Sequence, residues 1–393
     1  MVINSFQLLT LQEAMDLLQI SRSTINRWRR DKGLPCIKIG KEVFVDRAQL
    51  IAWVKQHEQR TVQKPVINVT IGYQSMNAHL WSALVIKEFG LLEEAWHTIC
   101  PAQSLKANWM ELSGPRQIEA LAAGQLDIAS LGDFPLVAMY QISSLLPSFT
   151  PKLLAFDGKN THQKGVSFVL PRKTKLQPEQ IADYAVSTIQ HSSSWHRLTQ
   201  SGLFSKATMV YQNENMDIEN LRSGQLKAST LIEPYASVLA YYQLENIYPL
   251  EGCADDYLAG IAADESWIAA NEEVVLAYMI AHLRAHQMIR QSPIKVSQKI
   301  ASVIGFPIAV VTEVLDNIRW DAAIYEKDLL TLGRIGKAHY PTVTDWVEDI
   351  FDIKLLEANV VRNSYLQEAA ALLQLPAMDS AMLREEWIAD LVF

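Results

Sequence analysis

The stretch that decides the N-terminal fold is Ser21-Arg22-Ser23-Thr24-Ile25-Asn26-Arg27-Trp28-Arg29-Arg30-Asp31-Lys32. Ser21 stands at a cap position, and Ile25 and Trp28 are three residues apart, which predicts a helix with one apolar edge. The other faces are basic, and their like charges repel one another unless an anion such as phosphate neutralises them. The stretch therefore favours a helix that contacts nucleic acid over a basic helix that is merely solvated.

The flanking residues predict the rest of a small domain around this helix. Residues 10–18 have the apolar spacing of a short preceding helix, and Gly33-Leu34-Pro35 ends the basic one. Residues 37–45 alternate around a glycine, which predicts a two-stranded wing, and Asp46 caps a last helix that ends near Gln56. Helix, turn, basic helix and wing is the order of a winged helix-turn-helix domain.

The segment from Leu9 to Val54 resembles the excisionase-like, MerR-type winged helix-turn-helix family. The motifs that carry the resemblance are the Ser-Arg-Ser-Thr helix start at 21–24, the Leu-Pro turn at 34–35, the Lys-Ile-Gly wing at 38–40 and the Asp-Arg-x-x-Leu helix at 46–50. The resemblance implies operator DNA as a partner. Because one such domain makes few base contacts, we expect two per operator, about one helical turn (~34 Å) apart, and hence a homodimer or a higher oligomer.

The predicted DNA-binding residues fall into two main groups. Those near the start of the basic helix are expected to reach base edges, and they are Arg22, Thr24, Asn26 and Arg27. The cations later in the helix and in the wing are expected to contact phosphates, and they are Arg29, Arg30, Lys32, Lys38 and Lys41. Ser21 and Ser23 complete the predicted set.

Length and charge predict two domains. The 393 residues are enough for two or three buried cores. Residues 1–64 carry a net charge of +5 and residues 65–393 a net charge of −13, which predicts that only the N-terminal part contacts DNA. The polar segment 56–65 ends in proline and is typical of a linker. We therefore predict a DNA-binding domain over 1–62, the head, and a second domain over 66–393, the body.

Other sequence features predict where the protein works. The N-terminus lacks the basic and apolar regions of a secretory signal, and no apolar run is long enough to span a bilayer. We therefore expect a cytoplasmic protein without a membrane partner. Cys36, Cys100 and Cys253 are too widely separated to indicate a disulfide framework or a zinc pattern, so we expect ordinary thiols.

The body alternates short β-branched runs with helical patterns, which predicts an α/β domain with largely parallel sheets. The motif Ile-Glu-x-Leu-x-x-Gly-Gln-Leu at 118–126 recurs at 218–226, and Leu131 and Leu231 correspond as well. Two amphipathic helices can look alike by coincidence, but repetition at a constant offset favours two α/β lobes built on similar plans.

From about Val66 to about Ile289 the body resembles the periplasmic solute-binding proteins of the nitrate, sulfonate and thiamine-precursor group. The resemblance rests on residues 112–135, on Gln190 to His196 and on Ile232-Glu233-Pro234-Tyr235. It implies two lobes that close over a ligand in the cleft between them.

The resemblance also implies a division of the body. We expect crossovers between the lobes near 156–165 and near 250–262. Lobe I is then assigned to about 66–157 and 250–393, with a helical C-terminal portion, and lobe II to about 158–249.

In open α/β sheets a ligand lies at the carboxyl ends of strands, where loops lead into helix N-termini. Free backbone N–H groups there favour an anion such as sulfonate, nitrate or bicarbonate, whereas Asp133 and Glu233 favour an amine or a pyrimidine-like ring N–H. Each such residue can instead be a helix cap. The predicted ligand-binding residues are Tyr73, Gln74, Ser75, Asn77, His79, Ser113, Gly114, Asp133, Phe134, His191, Ser192, Ser193, Ser194, Trp195, Glu233 and Tyr235.

No catalytic residue, cofactor or metal is predicted. Ser192, Ser193 and Ser194 lie between His191 and His196 but lack a Gly-x-Ser-x-Gly elbow. His282 and His286 are four residues apart, yet the glutamate of a zinc-protease helix is missing between them.

The sequence thus predicts a one-component transcription regulator, in which a small polar metabolite changes lobe closure and with it the spacing of paired heads. Two alternatives stay open. The protein could be a cytoplasmic enzyme of pyrimidine or sulfonate metabolism whose head regulates its own gene, or a binding protein whose head contacts another protein.

Overall fold

The computed structural model of the chain describes residues 8–18, 20, 22–57, 66–160, 166–174, 185–188, 198, 208–211, 219–221, 223, 225–249, 257–339 and 360–376. The chain divides into two compact units, residues 1–64 and 65–393, which contain the head and the body. Both units combine helices with strands, so the predicted α/β class is confirmed.

The described part of the head contains three α-helices and a small antiparallel sheet. The helices are α1 (Leu11–Leu18), α2 (Arg22–Asp31) and α3 (Arg47–His57). The strands are β1 (Leu8–Thr10), β2 (Ile37–Ile39) and β3 (Glu42–Asp46), in the order β1-β3-β2. The predicted wing is β2 and β3, and Gly40 supplies the positive φ of +63° that its turn requires.

Local hydrogen bonds explain where the helices of the head begin. Glu13 N donates to Thr10 Oγ1 at 3.2 Å and Thr10 N donates to Glu13 Oε2 at 2.8 Å, which is a capping box for α1. Gln49 N donates to Asp46 Oδ1 at 2.9 Å, so the predicted cap of α3 is confirmed. Ile25 is completely buried in the core of the head, which accounts for the apolar edge of the basic helix.

The body is built from helices around several sheets. Its described α-helices are α4 (Trp81–Phe89), α5 (Leu91–Ile99), α6 (Gly114–Ala122), α7 (Asp133–Leu145), α8 (Tyr235–Tyr241), α9 (Glu265–Ala270), α10 (Glu272–Gln291), α11 (Pro293–Ile304), α12 (Ile308–Asn317), α13 (Glu326–His339) and α14 (Ser364–Leu372). Its described strands are β4 (Val66–Tyr73), β5 (Ser104–Glu111), β6 (Ala129–Gly132), β7 (Pro151–Lys159), β8 (Val166–Pro171), β9 (Ala185–Thr188), β10 (Thr208–Tyr211), β11 (Ala228–Ile232), β12 (Glu245–Pro249), β13 (Leu258–Asp264) and β14 (Arg319–Trp320).

The strands of the body pair in both directions. Strands β4 and β5 are parallel, the sheet β14-β7-β13-β6 is antiparallel, and the sheet β10-β9-β11-β8-β12 is mixed. The prediction of largely parallel sheets is therefore wrong. The chain leaves the antiparallel sheet after β7, enters the mixed sheet as β8, and returns from β12 to β13. An outgoing and a returning strand that pair side by side must run antiparallel, as β7 with β13 and β8 with β12 do.

The repeated motif has the same local structure in both sheets. The first copy is α6, then β6, then α7, and the second has helical residues at 219–221, then β11, then α8. Leu131 and Leu231, which correspond in the repeat, are both buried. The likeness in sequence therefore reflects the same helix-strand-helix order.

Helix α10 lies at the centre of the helical portion, and most of its faces are buried. His282 and His286 on this helix are completely buried, as are Asp157 and Lys159 on β7. Burial lowers the pKa of His282 to about 4 and also lowers that of His286, so both imidazoles are neutral at pH 7. No helix in the described ranges combines the length and the apolar character needed to cross a membrane.

Candidate functional site

A cavity of about 200 Å³ lies where three strands end. Strands β4 and β5 are in parallel register, which pairs their last residues, Tyr73 and Glu111. The loops that follow these strands therefore leave the sheet side by side, and Ile232 joins them from the end of β11 in the mixed sheet. The cavity is lined by Gln74, Ser75, Met76, Asn77, Glu111, Leu112, Ser113 and Ile232. Strand ends of this kind are where α/β proteins bind ligands.

Glu111 supplies the formal charge of this lining. The Ser75 hydroxyl donates to Glu111 Oε1, and the Tyr73 hydroxyl donates to Glu111 Oε2 at 3.2 Å. Lys87 Nζ in turn donates to the Tyr73 hydroxyl at 3.2 Å. Two hydroxyls thus hold the carboxylate in place, while Glu111 itself remains exposed to solvent.

Asn77 is hydrogen-bonded to Tyr257, which lies just before β13. Its Nδ2 donates to the Tyr257 hydroxyl at 3.1 Å, and its Oδ1 accepts from His79 N at 3.2 Å. Tyr257 directly precedes β13, and its carbonyl oxygen accepts from Asn160 N at 2.9 Å, just after β7. Tyr257 is therefore bonded both to Asn77 and to Asn160, the last described residue after β7.

Several predicted ligand residues pack behind the cavity instead of lining it. His79 is completely buried, and its ring centroid lies 4.5 Å from that of Tyr257. Tyr235 is also buried, with its ring 6.1 Å from that of Phe306. Gly114 packs so closely on α7 that an added Cβ would lie 2.6 Å from Pro135 Cγ.

The two acids predicted to face a ligand serve helix starts in the structure. Asp133 is completely buried at the first turn of α7, where its Oδ1 accepts from Phe134 N at 2.6 Å. Glu233 Oε2 accepts from Ser237 N at 3.3 Å in α8, and burial raises the pKa of Glu233. The carbonyl oxygen of Glu233 accepts from Ala78 N at 3.0 Å, which joins the loop before α8 to the loop after β4.

The remaining predicted ligand residues, His191, Ser192, Ser193, Ser194 and Trp195, lie outside the described residues. Within the described ranges, one group of side chains could hold a metal, namely Asp157, His282 and His286, and none of them lines the cavity. The Ser75 hydroxyl donates to a carboxylate and not to an imidazole.

Sequence reasoning missed Glu111, the charged residue of the cavity. Its position in the sequence could have identified it, because Glu111 ends the strand that leads into the predicted Ser113-Gly114 loop. Tyr257 was missed for a different reason. It contacts Asn77 from 180 residues further along the chain, and no local pattern marks such a contact.

On the head, the described DNA-binding candidates lie at the surface. Arg22, Asn26, Arg30, Lys32, Lys38 and Lys41 are exposed, and Arg29 is half-buried. Arg29 Nη1 donates to Asn26 Oδ1 at 3.3 Å, so these two side chains are held together on one face of α2. Ser21 and the side chains of Ser23, Thr24 and Arg27 lie outside the described part of the chain.

These positions predict different effects of two substitutions on DNA binding. Lys38→Ala should weaken binding to all sequences and reduce the slope of log K against log salt by about one unit, because one phosphate contact is lost. Asn26→Ala should change sequence preference and leave the slope unchanged. Fluorescence anisotropy over a salt series measures both, and Lys55→Ala, an exposed cation on α3, is the matched control. An unchanged slope with altered preference in Lys38→Ala would show that Lys38 reads bases.

Comparison with known families supports the assignment of the head. A family model described as a helix-turn-helix domain matches residues 8–58. The head is therefore a helix-turn-helix domain, as its motifs predicted. No curated protein matches the chain.

Solved structures show the fold of the body. The chain is similar to the alkanesulfonate-binding protein SsuA of Xanthomonas axonopodis pv. citri bound to MOPS, with 20% identity, a TM-score of 0.54, and coverage of 76% of this chain and 96% of that one. It is also similar to the periplasmic aliphatic sulphonate-binding protein SsuA of Escherichia coli, with 16% identity, a TM-score of 0.59, and coverage of 76% and 92%.

A third similar structure is the periplasmic nitrate-binding protein NrtA of Synechocystis PCC 6803, with 13% identity, a TM-score of 0.58, and coverage of 79% of this chain and 90% of that one. At such identities the likeness concerns the fold alone. The body has the periplasmic-binding-protein fold, which confirms the resemblance predicted from its motifs.

Proposed function

We propose that the protein is a one-component transcription regulator, whose head binds operator DNA and whose body binds a small polar metabolite in the cavity lined by Glu111. One observation carries the proposal. A helix-turn-helix domain at residues 8–58 and a solute-binding fold with a cavity at its strand ends occur in one chain. A protein that binds operator DNA works inside the cell, so we place it in the cytoplasm, as a homodimer or a higher oligomer.

The charge of the cavity supports a particular ligand class. Its described lining contains one carboxylate, Glu111, and no Lys or Arg. A sulfonate or nitrate ion would meet this carboxylate, while Lys87 reaches the carboxylate only through the Tyr73 hydroxyl, so the like charges would cost free energy. An amine, an amidine or a pyrimidine-like ring N–H would donate to it, and Gln74, Ser75, Asn77 and Ser113 add neutral hydrogen-bonding groups. We therefore favour a ligand with a cationic or N–H donor group.

The hydrogen bonds of Asn77 support a mechanism by which ligand binding changes DNA binding. A ligand that contacts Asn77 lies one side chain away from Tyr257 and hence from both crossovers. Binding-protein folds close by bending at such crossovers. In a dimer, closure would change the spacing or orientation of the two heads. By linkage, operator DNA then changes the affinity for the ligand by the same factor as the ligand changes the affinity for DNA.

A direct experiment separates this function from its alternatives. Native mass spectrometry of the purified full chain identifies what the cavity carries, and a mobility-shift assay with the DNA upstream of its own gene tests the head. Ligand-dependent DNA binding supports the regulator. Conversion of the ligand into a product would support the enzyme of pyrimidine or sulfonate metabolism, and failure to bind DNA at low salt would support a head that contacts another protein.

A further inference from the structure

A second polar site lies inside the body, among Ser82 on α4, Asp157 on β7, and His282 and His286 on α10. The three metal-capable side chains are completely buried, and their nearest ligand atoms all lie within 4.8 Å of one another. Asp157 Oδ1 is 3.0 Å from His286 Nε2, and Asp157 Oδ2 is 2.6 Å from Ser82 Oγ. No part of the proposed regulator function requires this cluster.

The protons available in the cluster do not satisfy all of its acceptors. His282 Nε2 lies 2.8 Å from the Phe156 carbonyl oxygen, which only accepts, so Nε2 carries the proton of this neutral ring and Nδ1 is a lone pair. That lone pair faces Ser82 Oγ at 3.1 Å. Ser82 has one hydroxyl proton for two acceptors, His282 Nδ1 and Asp157 Oδ2. With Asp157 ionised, Ser82 can donate to only one of the two; if it donates at the shorter contact, to Asp157 Oδ2, the lone pair of His282 Nδ1 is left without a proton.

The donor set and its surroundings match a zinc ion. Two imidazoles and one carboxylate are a known ligand set for Zn²⁺, whose ligand atoms stand about 3.3 Å apart in tetrahedral geometry. The separation of 3.0 Å between Asp157 Oδ1 and His286 Nε2 is close to that value. The bond from His282 Nε2 to the Phe156 carbonyl holds the ring as metal-binding histidines are usually held, with Nδ1 as a lone pair on the side of Ser82.

The neighbouring cations Lys159 and Arg290 have carboxylate partners outside the cluster. Lys159 and Arg290 act electrostatically on His286. However, Lys159 Nζ is 2.7 Å from Asp328 Oδ2 and 3.9 Å from Asp321 Oδ2, and Arg290 is stabilised by Asp321. The direct ion-pair partner of Lys159 is thus Asp328 and not the Asp157 carboxylate of the cluster.

We propose that Asp157, His282 and His286 bind a Zn²⁺ ion, with Ser82 hydrogen-bonded to the carboxylate beside it. The ion would join β7, the strand that leads into the first crossover, to helix α10 at the centre of the helical portion. Because the site is fully buried, it is loaded as the body folds.

The test uses the full chain without a histidine tag, because a tag would bind zinc itself. The protein is unfolded in a denaturant that contains a chelator, and it is then refolded with or without Zn²⁺ and desalted. Elemental mass spectrometry measures the bound metal, and thermal unfolding measures the stability. We expect about one ion per chain after refolding with Zn²⁺ and a melting temperature several degrees higher than without it. Refolding with Co²⁺ should give the visible absorption of a tetrahedral site.

Variants locate the ion. His286→Ala and Asp157→Asn should each lose it, whereas His97→Ala, which removes an exposed histidine on α5, should retain it. The wild-type measurement does not depend on whether the variants fold. Wild-type protein that binds none of these ions after refolding, and melts at the same temperature with and without them, would overturn the proposal, as would an ion that is retained in a folded His286→Ala variant.

Discussion

Replacing Lys159 with Met is expected to lower the free energy of unfolding of the body by about 3–5 kcal/mol, the usual cost of removing one partner from a buried ion pair. Lys159 is completely buried, and its Nζ donates to Asp328 Oδ2 at 2.7 Å and to the Ala323 carbonyl oxygen at 2.6 Å. Asp321 lies 3.9 Å away. Without the ammonium group, two buried carboxylates would be left with Arg319 and, for Asp321, Arg290 as cations nearby.

The measurement is denaturant unfolding of the full chain, with the transition of the body followed separately from that of the head. Lys106→Met is the matched control, because Lys106 is exposed on β5 and its loss should change stability by less than about 0.5 kcal/mol. Adding Asp328→Asn to the Lys159 variant should restore part of the lost stability, since one unpaired charge is removed. Equal stability of the Lys159→Met and Lys106→Met proteins would show that the pair makes no net contribution.

The expected loss of stability depends on contacts of Lys159 that could not be predicted from the sequence. In the sequence, Lys159 belongs to the short polar run Asp157-Gly158-Lys159-Asn160, which is typical of a solvated turn. In the structure the same run ends a buried strand. Its partners, Asp321 and Asp328, are more than 160 residues away along the chain, and no local pattern links them. Long-range pairing of this kind is decided by topology and not by local propensity.

The head was predictable because its signals are local. The Thr10–Glu13 capping box, the Asp46 cap and the Gly40 turn each act within four residues, and each is present in the structure. The body was predictable at the level of repeated motifs and of the loops after its strands. The direction of neighbouring strands was not predictable, because it depends on how often the chain passes between the sheets.

The metal-capable cluster was likewise predictable only in part from the sequence. The helical spacing of His282 and His286 was visible in the sequence, but two histidines alone indicated no site. The third side chain, Asp157, comes from a strand more than 120 residues earlier, and burial of all three becomes evident only when α10 packs against β7.

Changing the charge of Glu111 is expected to alter ligand selectivity more than any other substitution in the cavity. If a cationic or N–H donor group binds the carboxylate, Glu111→Gln should weaken that ligand about ten- to a hundredfold, because hydrogen bonds to a charged group contribute about 1.5–3 kcal/mol. Glu111→Lys should abolish binding of the cationic or N–H donor ligand and create affinity for sulfonate or nitrate. Calorimetric titration with the ligand that co-purifies, and with an aminopyrimidine, an alkanesulfonate and nitrate as probes, measures these changes.

The control for this series is Glu119→Gln, which removes an exposed carboxylate on α6 that pairs with Arg116 at 2.8 Å and lies outside the cavity. It should leave all affinities unchanged. The thermal stability of each variant separates loss of binding from loss of fold, since Ser75 and Tyr73 also lose a partner when Glu111 is changed. If the wild-type protein binds alkanesulfonate or nitrate tightly and Glu111→Gln binds it more tightly still, the carboxylate opposes the natural ligand. The preference for a cationic or N–H donor group would then be wrong, even though the cavity would remain the binding site.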